Sequence, residues 1–284
     1  MRNIFLNDLH EKMAIDKNIF FLTADMGINL VEKFESSYPN RYLNVGIAEQ
    51  NLIGVASGLA KIGFTPYVYT ISNFLVHRCL EQIRNDVVLH DLPVKLIGTS
   101  TGYDNGPLGP THHMLEDWGV INCLQNIDVY TPYNKQTSKQ ILIEISNSKK
   151  PAYVRIPKGE GVEVKNTHLS DTLIVSYGSA LPLAIEVSEQ KKCEIFPVLQ
   201  MNKYAIELEF SKLSNYEEII VIEDHFSNCG LYSILSQILL ENKWSGKLRS
   251  IAPKNYSLKV GNKLEDFLES DNFVTDKQFK KEVS

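Results

Sequence analysis

Short apolar runs alternate with longer segments of helical period along the chain. The runs are rich in β-branched and aromatic residues, which is typical of buried strands, while the intervening segments repeat apolar residues every three or four positions. This alternation predicts an α/β fold with parallel sheets flanked by helices. The predicted strands are 18–25, 65–72, 92–100, 126–132, 151–157, 172–178, 194–200, 219–224 and 247–252, and the predicted helices are 4–15, 48–63, 73–88, 134–146, 180–190 and the segment following 230.

The alternation of strands and helices is interrupted at 158–171, a polar stretch with two glycines and no helical period. Such a stretch is typical of a linker between domains. We therefore predict two domains, a larger one over 1–160 and a smaller α/β domain over 171–284, joined by a linker at 161–170. The charged tail at 273–284 is expected to be peripheral.

Composition excludes several classes of protein. A chain of 284 residues with 43% hydrophobic residues can bury two cores. A net charge of −5 gives no basic surface for a phosphate backbone, so we expect no nucleic-acid partner. No apolar stretch approaches the roughly eighteen residues that span a bilayer, and no secretory signal pattern opens the chain. We therefore expect a soluble cytoplasmic protein. We also expect no zinc site, because the four cysteines are scattered along the sequence.

The sequence NVGIAEQN, residues 44–51, places the acid Glu49 in a nearly uncharged setting before a helical run. An isolated ionised carboxylate in an apolar site is costly, so this acid must be paired, protonated or placed at a helix start. A helix start alone favours an acid by about 0.3–1 kcal/mol. A structural role at the helix start and a chemical role therefore both remain open.

Residues 38–63 around this acid resemble the pyrimidine-binding segment of thiamine-diphosphate enzymes, and specifically the transketolase family. The resemblance implies that Glu49 hydrogen-bonds atom N1′ of the aminopyrimidine and, kept protonated by desolvation, activates the cofactor. It also implies that 1–160 is a pyrimidine-binding domain and that 171–284 is the transketolase C-terminal domain.

The segment TISNFLVHRCLEQIRND, residues 70–86, is the second point of resemblance. Ile71, Phe74 and His77 are spaced by three and share one face if the segment is helical. The family carries aromatic side chains at these positions around the aminopyrimidine, with the middle one stacked on it. Phe74 fits this pattern, while Ile71 and His77 depart from it, and Ile71 alone fits an ordinary core position equally well.

The end of the first predicted strand, FFLTADMG, resembles the family at Asp25 and Met26. In the family these are an acid and an apolar residue beside the thiazole part of the cofactor. Strand ends in open α/β sheets are where ligands bind. The resemblance therefore assigns both residues to cofactor binding.

The long glycine-rich segment from Ser100 to Asp117 is predicted to be a functional loop. Its G-P-T-H stretch, ending at His112, resembles the family loop whose histidine contacts substrate hydroxyls. The resemblance makes His112 the general acid or base for substrate oxygens. The adjacent His113 has no counterpart in the family.

Two positions of this loop depart from the family in ways that concern the substrate. Leu108 stands where the family has an aspartate that holds an acceptor hydroxyl, and Ser100 lies where relatives bind the substrate phosphate. We therefore hypothesise an acceptor that is deoxygenated, unphosphorylated or otherwise modified. Arg155 occupies the position of a phosphate-binding arginine, although a surface charge at a strand end explains it equally well.

The resemblance covers only the C-terminal half of a full-length transketolase. The G-D-G motif that holds Mg²⁺ and the cofactor diphosphate in the family is absent from the sequence. We therefore predict a separate N-terminal subunit that carries the diphosphate-binding domain and Mg²⁺, in a heterotetramer with two copies of each chain. Gly54 and Gly58 offer a small-residue face for helix approach, unless that face packs inside its own domain; Glu223 and His225 are expected at a subunit contact.

The interpretation from sequence is thus one subunit of an enzyme that moves a two-carbon ketol unit between sugar or sugar-like substrates. Three alternatives remain. A deoxyxylulose-phosphate synthase fragment and the beta subunit of a 2-oxo-acid dehydrogenase share the fold and the cofactor acid. A non-catalytic regulatory subunit would have kept the fold and lost turnover.

Overall fold

A computed structural model of the chain describes residues 1–166 and 169–258. The described part forms two compact units. The first contains Met1–Thr99 and Val120–Gly161, and the second contains Ser100–Gly119 and the described residues between Val162 and Leu258. The domain boundaries proposed from sequence remain a prediction, and the peripheral tail at 273–284 lies outside the described residues.

The first unit contains a six-stranded parallel sheet in the order β2-β1-β3-β4-β6-β5. Every residue of its neighbouring strands β4 and β6 is buried, as expected of strands covered on both faces. The strands are β1 Ile19–Thr23, β2 Tyr42–Asn44, β3 Thr65–Ile71, β4 Lys95–Thr99, β5 Asp128–Tyr130 and β6 Ala152–Ile156.

The helices up to β6 are α1 Arg2–Ile15, α2 Glu32–Ser37, α3 Glu49–Lys61, α4 Ser72–Val76, α5 Leu80–Gln82, α6 Asp117–Asn122 and α7 Lys135–Asn147. A reciprocal capping box fixes the start of α7. The side chain of Asn134 accepts from the Thr137 backbone N–H at 2.9 Å, and the Thr137 hydroxyl accepts from the Asn134 N–H at 3.0 Å.

The second unit contains a four-stranded parallel sheet in the order β10-β9-β7-β8. Its strands are β7 Thr172–Ser176, β8 Glu194–Pro197, β9 Glu218–Ile222 and β10 Lys247–Ile251, and its helices are α8 Leu181–Lys191, α9 Lys203–Leu208, α10 Phe210–Leu213 and α11 Leu231–Glu241. The expected class, α/β with parallel sheets flanked by helices, is confirmed.

The prediction of one continuous helix over 73–88 is wrong in detail, because the structure has three shorter pieces there. α4 and α5 are separated by a turn, and a π-helical segment, Ile83–Val88, follows α5. In the turn, the Arg78 carbonyl accepts from the side-chain amide of Gln50 at 3.0 Å. Because of this interruption, both the backbone carbonyl and the guanidinium of Arg78 contact residues of α3.

The helix α3 keeps one face outside its own unit. Gly54 and Gly58 are exposed, and a Cβ added at either would meet no atom within 4 Å, while Ala56 and Ala60 are buried. The alternative that the glycine face packs inside its own domain is therefore wrong. Within the described residues, every helix is too short or too polar to cross a membrane.

Candidate active site

Glu49 is the first residue of α3, and only 3% of its surface is exposed. Its Oε2 atom lies 2.6 Å from Nη1 of Arg78, with which it forms an ion pair. The buried acid is therefore both paired and at a helix start, so two of the three arrangements that sequence reasoning allowed occur together.

Arg78 connects this acid to the aromatic position. Its guanidinium carbon lies 4.6 Å from the centroid of the Phe74 ring, a cation–π contact, and its side chain is 46% exposed. Behind the pair, the buried thiol of Cys79 donates to the Phe74 carbonyl. Burial, together with the nearby Glu49 charge, raises the pKa of Cys79 to about 12, so the thiol stays protonated.

The three positions predicted to share a helical face bracket α4. Ile71 ends β3 and precedes the helix, Phe74 lies inside it, and His77 follows it and is exposed. Only Phe74 therefore lies within the helix.

Asp25 and Met26 follow β1 in a tight turn. Asp25 is exposed, has a left-handed φ of 44°, and its N–H donates to Oδ1 of Asn44 at 2.9 Å. The carbonyl of Met26 accepts from the Thr23 hydroxyl at 3.2 Å. Because the carboxyl ends of parallel strands lie along one edge of a sheet, this turn and the segments after β2 and β3 meet at the same edge. Asp25, Met26, Glu49 and Phe74 therefore project from one edge of the first sheet.

Arg155 is the fourth residue of β6 and is fully buried. The alternative that it is a surface charge at a strand end is therefore wrong. Its assignment to substrate binding stays a prediction.

The predicted substrate residues of the glycine-rich loop lie in the second unit. His112 is half-buried, its N–H donates to the Gly109 carbonyl at 3.0 Å, and its Nδ1 atom lies 3.0 Å from the Thr111 hydroxyl. Ser100 is buried with a φ of 63°, and Leu108 ends a 3₁₀ turn with 57% of its surface exposed.

His113 differs from its neighbour in burial and in contacts. Only 4% of it is exposed, and its ring packs edge-on against Tyr103 with a centroid distance of 5.1 Å. Burial lowers the pKa of His113, which favours the neutral imidazole. The buried ring of His113 therefore packs within the loop, in contrast to the half-buried His112.

Glu223 and His225, expected at a subunit contact, are fully buried within the second unit. Glu223 accepts from the N–H groups of Leu231 and Tyr232 at 2.7 and 3.1 Å, and His225 accepts from the Gly119 N–H at 3.3 Å. The expectation is wrong because both side chains are consumed by contacts inside the chain.

Sequence reasoning missed the role of Arg78. The residue belonged to a recognised motif, yet it was not identified as the partner of Glu49. One signal was available, since a buried carboxylate requires a cation or donor nearby and Arg78 lies in the adjacent motif.

The first unit fits the aminopyrimidine part of thiamine diphosphate. A buried acid suits a ring nitrogen, and an aromatic side chain such as Phe74, over which Arg78 lies in this structure, is of the type that stacks on an aromatic ring. Within residues 1–166 and 169–258, no cluster of three or more His, Cys, Asp or Glu side chains could hold a metal ion. The described residues therefore offer contacts for the ring and no metal-binding cluster.

Comparison with known proteins agrees with this arrangement. The family described as "Transketolase, pyrimidine binding domain" matches residues 1–162. A relative from Actinobacillus succinogenes, described as one of the subunits of an apulose-4-phosphate transketolase, is 29% identical over 248 residues, which cover 80% of each chain.

Two further similarities concern the extent of the match. The 1-deoxy-D-xylulose-5-phosphate synthase of Pseudoalteromonas atlantica is 28% identical over 94% of this chain but only 45% of its own length. The solved structure described as "Split gene transketolase, inactive beta4 tetramer" superposes with a TM-score of 0.77 at 24% identity, covering 94% of this chain and 92% of that one. This last likeness concerns the fold.

Proposed function

Since this chain belongs to the transketolase family through its pyrimidine-binding domain, we propose that it is the C-terminal subunit of a two-chain enzyme. The enzyme transfers a two-carbon ketol unit from a ketose donor to an aldehyde-type acceptor with thiamine diphosphate. The observation that carries this proposal is Glu49, a buried acid at the sheet edge whose partner Arg78 also lies over the ring of Phe74. The Actinobacillus relative, which is described as one of several transketolase subunits, supports the division into two chains.

Thiamine diphosphate supplies, when bound, a nucleophilic carbon for breaking and forming carbon–carbon bonds. Glu49 holds a proton at the ring nitrogen N1′, and Phe74 packs on the ring face. Asp25 and Met26 contact the thiazole part, with Ile71 and His77 lining the pocket wall. On the substrate side, His112 gives and takes protons at the hydroxyl and carbonyl oxygens.

The partner is an N-terminal subunit that carries the diphosphate-binding domain and its Mg²⁺, and the assembly is a heterotetramer. Arg155 and Ser100 contact the anionic or polar end of a sugar-like substrate, and Leu108 faces the acceptor. The substrate named for the Actinobacillus relative supports a ketose donor or product of that general class.

A second candidate function is favoured by the synthase similarity, which extends over 94% of this chain. A synthase of that kind condenses a 2-oxo acid with an aldehyde after decarboxylation. Release of carbon dioxide from pyruvate by the assembled subunits favours this candidate, and its absence with ketose turnover favours the transketolase.

The test reconstitutes this chain with the polypeptide that carries the diphosphate-binding domain. Ketol transfer is expected from the mixture and not from this chain alone. Glu49→Gln removes the acid while keeping its size, so the mixture with this variant should lose ~10²–10⁴ in rate, the usual cost of a lost acid–base group. Glu207→Gln, at an exposed position of α9, is the matched control and should retain full activity.

Substantial turnover by the chain alone contradicts the division into two subunits. An unchanged rate for Glu49→Gln in the mixture contradicts the role of the acid. Circular dichroism of each variant verifies that the fold is intact.

A further inference from the structure

The second sheet has a switch in its strand order, and the switch defines a crevice. β7 is followed by β8 on one side, and the chain then returns to β9 on the other side of β7. In open parallel sheets, the crevice outside the carboxyl ends of the strands at such a point is where ligands bind. In this protein the crevice lies between the ends of β7 and β9.

The anion-binding position of this crevice is taken by the chain itself. A ligand phosphate would bind at the N-terminus of α11, where backbone N–H groups point outward. Those of Leu231 and Tyr232 donate to the carboxylate of Glu223, which also accepts from the Tyr177 hydroxyl at 3.2 Å. The carboxyl group of Glu223 thus occupies the N–H groups that an external anion would use.

The rest of the crevice is filled by the segment 100–119, called here the histidine loop. The Leu115 carbonyl accepts from the Phe226 N–H at 3.0 Å, just beyond β9. The Trp118 ring packs edge-on against Tyr177, with the centroids 5.1 Å apart, just beyond β7. The loop therefore contacts the segments that follow both strands at the switch point.

Polar and apolar contacts extend this anchoring along the loop. The hydroxyls of Thr101 and Ser179 lie 3.2 Å apart, and Ser179 also donates to Asp104 at 3.3 Å. Buried Tyr103 and Leu115 form an apolar cluster, against which Leu183 and Phe226 pack from the second unit. The contacts come from several separate points of the second unit.

The anchored residues enclose the base of the loop that carries His112. Gly102 and Met114 exchange two backbone hydrogen bonds of 2.9 and 2.8 Å, so residues 103–113 form a closed loop. His112 is two residues from this bridge. A fixed base therefore restricts where the histidine side chain can lie.

We propose that the switch-point crevice of the second unit binds the histidine loop in place of a small ligand, and that Gly119 is a positioning residue for His112. The proposal rests on the proposed function, which makes His112 the residue that contacts substrate. Gly119 is chosen because its backbone N–H donates to Nε2 of His225 at 3.3 Å and a side chain added there would collide with the segment after β9. A Cβ at this position would lie 2.7 Å from Cβ and 2.8 Å from the carbonyl oxygen of Cys229.

The test adds that Cβ. Gly119 lies in α6 without a left-handed φ, so alanine suits its backbone and any loss comes from the collision with Cys229. Hydrogen–deuterium exchange of the isolated full chain should show faster exchange in peptides from 100–119, with the rest unchanged. In the reconstituted complex, kcat should fall by about 10²-fold, the effect of a shift of about 1 Å at a reacting group.

Rescue distinguishes positioning from general damage. Cys229→Gly removes the Cβ and Sγ atoms that meet the new methyl group and leaves the backbone carbonyl oxygen at 2.8 Å, so the double variant should recover part of the protection of the loop and part of kcat. Cys229→Ser keeps the Cβ and is the matched control that should give no recovery. If Gly119→Ala fails to fold, Phe226→Ala removes a half-buried packing contact of the loop and should produce the same local exchange and loss of kcat.

Unchanged exchange of 100–119 in Gly119→Ala and Phe226→Ala overturns the binding of the loop by the crevice. Faster exchange with unchanged kcat overturns the positioning role. Both outcomes differ from failure of the proposed function, in which the wild-type complex itself has no ketol-transfer activity while the exchange pattern is as expected.

Discussion

Arg78 is the residue that links the two proposed cofactor contacts of this chain. Its guanidinium pairs with Glu49 at 2.6 Å and lies over the Phe74 ring. Any group that binds to both side chains therefore also meets Arg78. Since nearly half of its side chain is exposed, Arg78 can move without opening the core.

Leu108 gives a prediction at the residue scale. Leu108→Asp places a carboxylate where the family holds an acceptor hydroxyl, so it should favour hydroxylated over deoxygenated acceptors. We expect the ratio of the two kcat/KM values to shift by about tenfold or more, since a hydrogen bond to a charged group contributes about 1.5–3 kcal/mol. Competition between the two acceptors in the reconstituted complex measures this ratio.

Leu108→Ala is the control, because it removes the leucine without adding a carboxylate. With 57% of Leu108 exposed, neither variant should change the free energy of unfolding by more than about 0.5 kcal/mol. An unchanged ratio in Leu108→Asp would show that this position does not contact the acceptor.

At the residue scale, the sequence identified single candidate site residues better than the contacts between them. Glu49 stood out in the sequence because its surroundings are nearly uncharged, and in the structure it lies on the buried face of α3 with Leu52 and Ile53. For its partnership with Arg78 the sequence offered only the general need of a buried carboxylate for a nearby cation, because helical periodicity does not reveal the break between α4 and α5 that brings Arg78 to it. Arg155 shows the same limit, because strand periodicity cannot identify what covers the strand end.

The N-terminus of α11 binds a buried titratable group, the carboxyl of Glu223. Burial raises the pKa of Glu223 from 4.5 to about 8, although the Leu231 and Tyr232 N–H groups and the Tyr177 hydroxyl lower it. A carboxyl that binds its proton more tightly in the folded than in the unfolded state contributes stability at low pH. That stability is lost as pH rises from 4.5 through about 8.

Chemical denaturation of the isolated chain between about pH 5 and pH 8 tests this at the element scale. The free energy of unfolding of Glu223→Gln should fall less with rising pH than that of the wild type, because glutamine does not ionise. Glu207→Gln, on an exposed surface of α9, should keep the wild-type slope. Parallel curves for Glu223→Gln and the wild type would contradict the raised pKa.

Long elements were predictable because their periods extend over many residues. All nine predicted strands lie where the structure has a strand, and helices α1, α3, α7, α8 and α11 follow the expected segments. The short elements α2, α6, α9, α10 and β2 were missed. Each is six residues or fewer, so no period distinguishes it from a turn.

At the scale of the whole molecule, the exposed face of α3 is the surface on which the proposed assembly can be tested. Gly58→Ala should raise the free energy of unfolding of the isolated chain by about 0.5–1 kcal/mol, because glycine is a poor helix former. Gly58→Leu suits a helix nearly as well, yet its larger side chain should prevent close approach of another helix. Analytical ultracentrifugation should show weaker association for the leucine variant.

The alanine variant is the control for helix propensity, and it should assemble as the wild type does. Equal association of both variants with the N-terminal subunit would indicate that this face lies outside the interface. Since a Cβ at Gly58 meets no atom within 4 Å, the alanine substitution does not disturb the packing of the isolated unit.

The place of the histidine loop could not be predicted from sequence at this scale. The loop directly follows β4, so its position in the chain suggests the first domain. Its contacts are with residues far away in sequence, such as Tyr177 and Phe226, and no local pattern encodes such pairs. The G-P-T-H stretch therefore suggested a chemical role for His112, but it gave no indication of the residues that hold the loop in place.

The anchoring of the histidine loop also determines which truncated forms of the protein can be produced. A polypeptide shortened to residues 1–160 would keep Tyr103, Leu115 and Trp118 but lose the side chains that cover them. These large apolar groups would then face water, which favours self-association and precipitation. Recombinant production of the N-terminal portion alone should therefore yield aggregates, whereas a split that keeps residues from 172 onward in the same polypeptide avoids the problem.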